Sequence, residues 1–569
     1  MGEADIAAID DFRSEDWARR PWVLAGLLAV AGLLVFFAID GPEEPIHMAI
    51  TAALIFGSLT AAFTISPDRW RSSAAFAIGV ALVMAGIAWR ATNAGDRYAD
   101  EEFWVAAGIL CVTLALPLFQ AGFHENRLKT SYKATHFHIW TDAITGAGAM
   151  AFLGLSWALL RILSELFRAI QIDLLHELTN TGWFSWMFSG AAFGAALGVL
   201  RNQLKIIGTL QNVALLVLSI LAVPLATALV IFLLAVLVSG LDVLWEATRS
   251  ATPLLLAIAV GCFVLANAVV RDEDEAASNS RPLRMAGFVL ALGILPLAVM
   301  ASISMGTRIA QHGLSPERLW ALVAIAVAVA YGVAYFVSAL RGRKAGWRGH
   351  LRQSNLHLAV MTSVIALILA LPIFNFGAIS ASNQLARLDS GAVSAEEFDY
   401  SALRWDFGDA GRQALAELTE SEDADVARLS AAAQMSDNRY GPSLAEREAV
   451  VELTDLSALN SEIAEQFETY IAGETYICPN GCVVFEVGED DEGTIYALLS
   501  KGEYPRDPQL VRYDPDQGSL VDLSVVRGRL QTTSPRPITE ADDESTIELR
   551  PFTGQQIYID GEPVSAPFE

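Results

Sequence analysis

The sequence predicts an α-helical polytopic membrane bundle of about eleven transmembrane helices, followed by a soluble α+β region with a small antiparallel β domain. Three observations carry this. First, the 569 residues are 53% hydrophobic and only 18% charged, whereas soluble domains hold about a quarter charged residues. Second, the long apolar runs fall almost entirely within residues 1–378. Third, charge is just as uneven. From residue 380 onward there are 38 Asp and Glu against 13 Lys and Arg, a net of −25, while the whole chain is −26. The first part is therefore close to neutral, and the chain divides into a bilayer-embedded part and an acidic, water-soluble part. That acidity argues against nucleic acid as a partner, because phosphates need Lys and Arg. It argues equally against docking on anionic headgroups.

A hydrocarbon core of roughly 30 Å needs about 20 apolar residues in a helix. Runs of this kind lie near 21–39, 45–64, 74–91, 103–121, 143–163, 183–200, 211–239, 252–270, 285–304, 319–340 and 356–377. The first, WVLAGLLAVAGLLVFFAIDG, is long and lacks the A-x-A exit of a cleaved signal. The fifth continues as LSWALLRILSELFRAIQIDLLHEL (155–178), where Arg161, Glu165, Arg168, Asp173 and His176 enter an apolar helical pattern. A spanning helix that runs on into an interfacial amphipathic one is expected there. The seventh is about 28 residues, or about 42 Å as helix, with Pro224 in its middle. It predicts one kinked or tilted crossing, since neither half could span alone.

Orientation follows from the positive charges. The segments before 21 and at 65–73, 122–140, 201–208, 271–284 and 341–355 hold Arg and Lys, while the alternate loops are poor in both and include the acidic DGPEEP and TNAGDRYADEE. The expected arrangement is a cytoplasmic tail (1–20), a transmembrane domain (21–378), an extracytoplasmic helical segment (379–473) and an extracytoplasmic β-rich domain (474–569), in an inner (plasma) membrane. The sixth span carries Gly190, Gly194 and Gly198 at i, i+4 and i+8. Such a stripe lets two backbones approach closely, either within the chain or as a homo-oligomer seam.

Ionisable groups inside a bilayer are costly and usually functional, but the helix centres here are nearly clean. Arg90, Asp142, Arg161 and Arg308 lie near ends, where snorkelling accommodates them. This weighs against a proton-coupled transporter and leaves a small-solute transporter or channel as an alternative. Asp40, Glu43, Glu44 and His47 cluster after the first span. A lipid-linked transferase would place an acid there as base or metal ligand, although a short acidic loop is the plainer reading. His136 and His138, with His124 nearby, offer a metal too few partners. No catalytic, cofactor or metal residues are expected.

In TRIAQHGLSPERLWALV (307–323), Gly313 is placed to end one helix, Ser315 to cap the next and Pro316 to begin it. A contact site using Arg308, His312 and Arg318 is the functional reading of the same turn. This stretch resembles the R-I-x-x-x-G-L-[ST]-P-x-R motif of the bacterial multi-pass membrane family known as domain of unknown function 4153, matched by Arg308, Ile309, Gly313, Leu314, Ser315, Pro316 and Arg318. LLRILSELFRAIQIDLL resembles that family's leucine-rich stretch ending in L-F-x-x-x-G-I, with Gln171 where glycine is expected. EEFDYSALRWDFGDAGRQALAEL resembles its post-membrane segment. The resemblance covers roughly residues 20–420 and implies a topology, not an activity.

Residues 380–470 read as short helices. From 475 the pattern changes to strands: CVVFEV, TIYALLS, QLVRYD, LVDLSVV, TIELRPF and QIYIDGEPV, with hairpin turns between. Cys478 and Cys482 flank a Pro-Asn-Gly turn at the start of the first. All eight histidines lie at or before His357, so no zinc set forms around these two thiols. Outside the cytoplasm the pair is expected as a structural disulfide, a modest local staple; a redox pair is the alternative. Without histidine, a Ser-His-Asp or Cys-His enzyme is not available in this region. The reading is an integral membrane protein, non-enzymatic, whose acidic module meets envelope proteins.

Overall fold

The computed structural model describes residues 17–39, 44–240, 251–275, 277, 280–341, 346–490, 493–501, 508–515, 519–523, 547–551, 555–559 and 562–563. Eleven of its helices are long and apolar enough to cross a membrane. They are α1 (Arg20–Ile39), α2 (Pro45–Thr64), α3 (Trp70–Ala94), α4 (Glu101–Gln120), α5 (Tyr132–Ala169), α6 (Gly182–Arg201), α7 (Leu204–Ser239), α8 (Ala251–Val270), α9 (Arg281–His312), α10 (Pro316–Arg341) and α11 (Trp347–Ala370). Each covers one apolar run of the sequence. Apolar length decides the element because a helix satisfies every backbone group internally.

The chain divides into two compact units, Met1–Ala386 with Asp406–Ala410, and Arg387–Trp405 with Gly411–Glu569. In the first unit α9 is the most enclosed span. It packs against α7, α8 and α10 around Leu229, Leu255, Leu290, Ile294, Leu297 and Tyr335. A second core joins α1, α2, α5 and α6 through Leu24, Leu28, Ala62, Ala149 and Leu197. A third lies among α2, α3, α4 and α11 and includes Met84, Ile87, Trp104 and Ala370. Outward-facing Leu, Ile, Val and Phe on the same helices stay exposed, as at Phe37, Leu82, Ile162, Leu216 and Ile231. These are the lipid-facing surface that the apolar runs require.

One departure from the simple pattern has a local cause. The amphipathic continuation of the fifth run is broken: α5 ends at Ala169 and a short helix resumes over Leu174–Asn180. Gln171, between them, has φ +64°. This is the left-handed region that favours glycine, and glycine is the residue expected at this position. The seventh run is one helix of 36 residues that continues through Pro224.

The glycine stripe of α6 lies against α1. A Cβ on Gly190 would stand 2.0 Å from the Leu28 carbonyl oxygen, one on Gly194 2.3 Å from that of Leu24, and one on Gly198 2.5 Å from the Pro21 Cα. An oligomer built on this stripe would have to displace α1.

After α11 come α12 (Phe376–Asp389), α13 (Tyr400–Trp405), α14 (Gly408–Leu418), α15 (Ala424–Met435), α16 (Leu444–Glu452) and α17 (Ser461–Gly473). α12 runs across residue 378. Asp406–Ala410 clusters with the bundle rather than with the helices on either side of it. Phe407 is buried, and Gly408, at φ +64°, packs on the Arg97 carbonyl. That docking separates α13 from α14 within ALRWDFGDAGRQALAEL.

In the second unit, β1 (Cys482–Asp490), β2 (Gly493–Ser500), β3 (Gln509–Asp514) and β4 (Ser519–Asp522) form an antiparallel meander in that order. β1 and β2 close on the pair Asp490 and Gly493, with a bulge between Glu486 and Gly488. Its core is Phe467, Ile471, Val484, Tyr496, Leu498 and Val511. A three-stranded sheet follows: β5 (Ile547–Pro551), β6 (Gln555–Ile559) and β7 (Glu562–Pro563). The end of the expected strand LVDLSVV lies outside the described residues.

Two substitutions test these contacts in the detergent-solubilised chain. Gly194→Ala sets a methyl against α1 backbone and is expected to cost roughly 1–3 kcal/mol. Gly208→Ala, where nothing lies within 4 Å, is expected to be neutral or slightly stabilising. Thermal unfolding separates the two. In the same assay Gln171→Gly is neutral or stabilising by up to about 1 kcal/mol, while Gln171→Val destabilises.

Candidate functional site

Polar side chains in the bundle gather at its two ends. One end carries the α2–α3, α4–α5 and α6–α7 connections and the segment after α8. There, three side chains form a closed ring. The Asn355 amide on α11 donates to Asn267 Oδ1 on α8 at 2.7 Å, the Asn267 amide donates to the Tyr335 hydroxyl on α10 at 2.7 Å, and that hydroxyl donates to Asn355 Oδ1 at 2.6 Å. The Asn355 amide also donates to the Tyr132 hydroxyl at the start of α5 at 3.2 Å. Each group in the ring is a donor and an acceptor at once, so four helices meet with their polar groups satisfied. Beside the ring, Arg352 donates to the Val270 and Arg271 carbonyls and to Asp274 Oδ1 at 2.8–3.0 Å. A cation at a helix C-terminus is favourable there. Lys133 pairs with Glu273 at 2.7 Å. The acidic run after α8 is thus held by bases from α5 and α11.

At the same end a cavity of about 40 Å³, room for a water or a few, opens among the ends of α2, α4 and α6 and the start of α3. Gln120, the last residue of α4, donates to the Phe63 carbonyl at 2.8 Å and to Asp142 Oδ1 on α5 at 3.2 Å. Arg69, His124, His138 and Arg201 also line it. Arg201 donates to the Ala62 carbonyl at 2.6 Å, and Arg20 to the Arg201 carbonyl at 2.9 Å. His138 faces this cavity, whereas His136 is buried beside Tyr132. Among the described residues, no three His, Cys, Asp or Glu converge as a metal set.

The opposite end carries the turn singled out in sequence. Gly313, at φ +72°, closes α9. Arg318 donates to the His312 and Gly313 carbonyls at 3.1 and 2.7 Å. The Leu314 amide donates to Asn383, and Gln384 donates to the His312 and Leu314 carbonyls, so α12 is fastened to the turn. Arg318 therefore caps a helix, and His312 takes part through its backbone. Arg308 lies one turn earlier on α9. Asp40 and Glu43 lie outside the described residues; Glu44 stands at the α2 N-terminus with no side-chain cap.

Near that turn, Asp100 follows α3 in the left-handed region, φ +56°. Arg90 donates to the Ala370 carbonyl and lies 3.3 Å from the Trp104 ring centroid. Arg97 donates to the Ala94 and Asn93 carbonyls. Burial, then Glu102, Glu317, Asp406 and Glu101, push the Asp100 carboxyl up to about 7.

In the second unit, Cys478 and Cys482 form a disulfide of S–S 2.00 Å, and both are fully buried. Gly481, at φ +78°, closes the turn between them, where a Cβ would meet the Leu453 carbonyl at 2.3 Å. Lys501 donates to that same carbonyl at 2.8 Å. Along α16 and α17 runs a groove of about 480 Å³, with Leu444, Val451 and Ala472 beside Glu448, Glu452 and Glu468.

Sequence reading missed the Gln120 partner of Asp142 and the Asn–Tyr ring. The signal was present as single Asn and Tyr residues inside apolar runs, in FVLANAVV and VAYFV.

The raised Asp100 carboxyl fixes a pH dependence. The folded chain holds this proton more tightly than the unfolded chain, so its stabilising contribution is complete below about 4 and is lost as pH rises through about 7. Asp100→Asn keeps a side chain that tolerates the left-handed region and removes the charge. At about pH 8 it is expected to be more stable than the parent by on the order of 1 kcal/mol, discounted for partial exposure. The difference should vanish near pH 4 in thermal unfolding.

The family model for a domain of unknown function, DUF4153, matches residues 49–418, most of the bundle and the helices through α14. No curated protein and no solved structure matches the chain. The match takes in the His312–Arg318 turn, the left-handed Gln171 and the docked Asp406–Ala410 segment, and the chain belongs to the DUF4153 family.

Proposed function

We propose that this chain is an integral protein of a bacterial inner (plasma) membrane whose acidic C-terminal module lies outside the cytoplasm and binds envelope proteins. The observation that carries the reading is the groove along α16 and α17. Leu444, Val451 and Ala472 offer an apolar floor, and Glu452 and Glu468 offer charge, while Glu448 is paired with Arg428. The occupant that fits is a protein segment presenting apolar side chains flanked by Lys or Arg. Orientation is supported by the basic end of the bundle, where Arg20, Lys133, Arg201, Arg348 and Arg352 collect. A small-solute transporter or channel is the second reading, favoured by the half-buried Asp142. The cavity beside it has room for only a few waters, so the module reading is preferred.

Labelling of intact cells with a membrane-impermeant maleimide tests the orientation. Met435→Cys, at an exposed site of the module, is expected to label in intact cells, and Leu128→Cys only after lysis. A photo-crosslinker at Ala472 should then capture a basic envelope protein, and Val451→Asp should abolish that capture. Labelling of Leu128→Cys outside and Met435→Cys inside would sink the reading.

A further inference from the structure

We propose that the cavity between Gln120 and Asp142 is a reversible proton-binding site, with the Asp142 carboxyl as acceptor. This goes beyond the module reading and does not rest on it. Three buried side-chain oxygens line this cavity, Gln120 Oε1, Thr141 Oγ1 and Asp142 Oδ2, and none has a hydrogen-bond partner among the described residues. Both hydrogens of the Gln120 amide are committed, one to the Phe63 carbonyl and one to Asp142 Oδ1. Gln120 Oε1 can therefore only accept, and so can Oδ2 of an ionised Asp142. Leaving buried acceptors unmade is expensive. A proton relieves part of this: it bonds to Oδ2, the carboxylate becomes a neutral acid, and Oδ2 turns from acceptor to donor.

Arg69 and Arg201 in the lining disfavour a metal ion. Arg69 from the α3 N-terminus, Arg201 from the end of α6, His124 from the short helix after α4 and His138 one turn before Asp142 line the same cavity. Hard cations such as Ca²⁺ and Mg²⁺ take six or more oxygens, and the unpartnered set supplies three. The cavity of about 40 Å³ can instead hold the water that delivers the proton from the basic end. Gln120 also binds α2 through Phe63, so the protonation state of Asp142 bears directly on how α2, α4 and α5 meet.

Dicyclohexylcarbodiimide tests this on the full chain in membranes. The reagent takes the proton of a neutral carboxyl onto nitrogen, the carboxylate oxygen adds to its central carbon, and rearrangement leaves a stable N-acylurea. Mass spectrometry of the peptide carrying Asp142 reads the adduct. The expected result is labelling that falls about tenfold for each pH unit once the carboxyl ionises, and is equal in sodium and choline chloride. Gln120→Leu removes the amide that stabilises the charged form, so labelling should persist about one unit higher in pH. If that variant does not fold, the parent's pH series decides alone. Labelling that ignores pH, no labelling at any pH, or protection by sodium at constant pH would each overturn the proposal.

Discussion

The constraint on which the bundle depends is that hydrocarbon offers no hydrogen bonds. A polar group placed at membrane depth must find its partner in the protein or remain unmade at a cost of kilocalories. The eleven long helices satisfy the backbone. The side chains show the same constraint in finer form. Asn267, Tyr335 and Asn355 answer one another in a ring, and Thr64, Thr145, Ser302 and Ser338 return their hydroxyls to a carbonyl one turn back. At the cavity lined by Gln120, Thr141 and Asp142 the same accounting does not close.

Tight packing is the second consequence. Between helices surrounded by lipid there is little hydrophobic drive to associate, and close contact must supply the attraction. The α1–α6 seam does this by removing side chains, so that backbone meets backbone along Gly190, Gly194 and Gly198. Gly332 does the same against Leu295 on α9. In the second unit close approach serves another purpose. Gly481 brings the Cys478–Cys482 turn onto the end of α16, and Lys501 fastens the same carbonyl. A small core there combines a covalent closure with a backbone contact.

Legibility in the sequence follows from how local each cause is. All eleven spans were readable, because apolar length is a property of one segment. Gly313, Ser315 and Pro316 were readable as a turn for the same reason. The interruption at Phe407 and Gly408 was not, because it arises from docking against Arg97, about three hundred residues away in the chain. Asp142 was read as a residue near a helix end, which it is. Its surroundings include Gln120, Phe63 and Arg201, three residues on other helices that no spacing rule connects. The Arg352 clamp was hidden likewise, since a basic residue near a helix start reads as solvated until α8 is seen to end against it.

The two ends of the bundle treat acidic residues in opposite ways, and this is the most informative asymmetry in the molecule. At the basic end, Glu273 and Asp274 each meet a Lys or Arg within 3.0 Å. At the other end, Asp100 is set among Glu102, Glu317 and Asp406, while Arg90, Arg97 and Arg318 spend their donors on carbonyls. Cations at that end therefore cap helices. The result is a field directed along the bundle, with positive charge gathered where the N-terminal segment and the α2–α3 and α6–α7 connections lie. A bilayer holding a potential across it responds to such a distribution. The separation of charge supports the orientation proposed above.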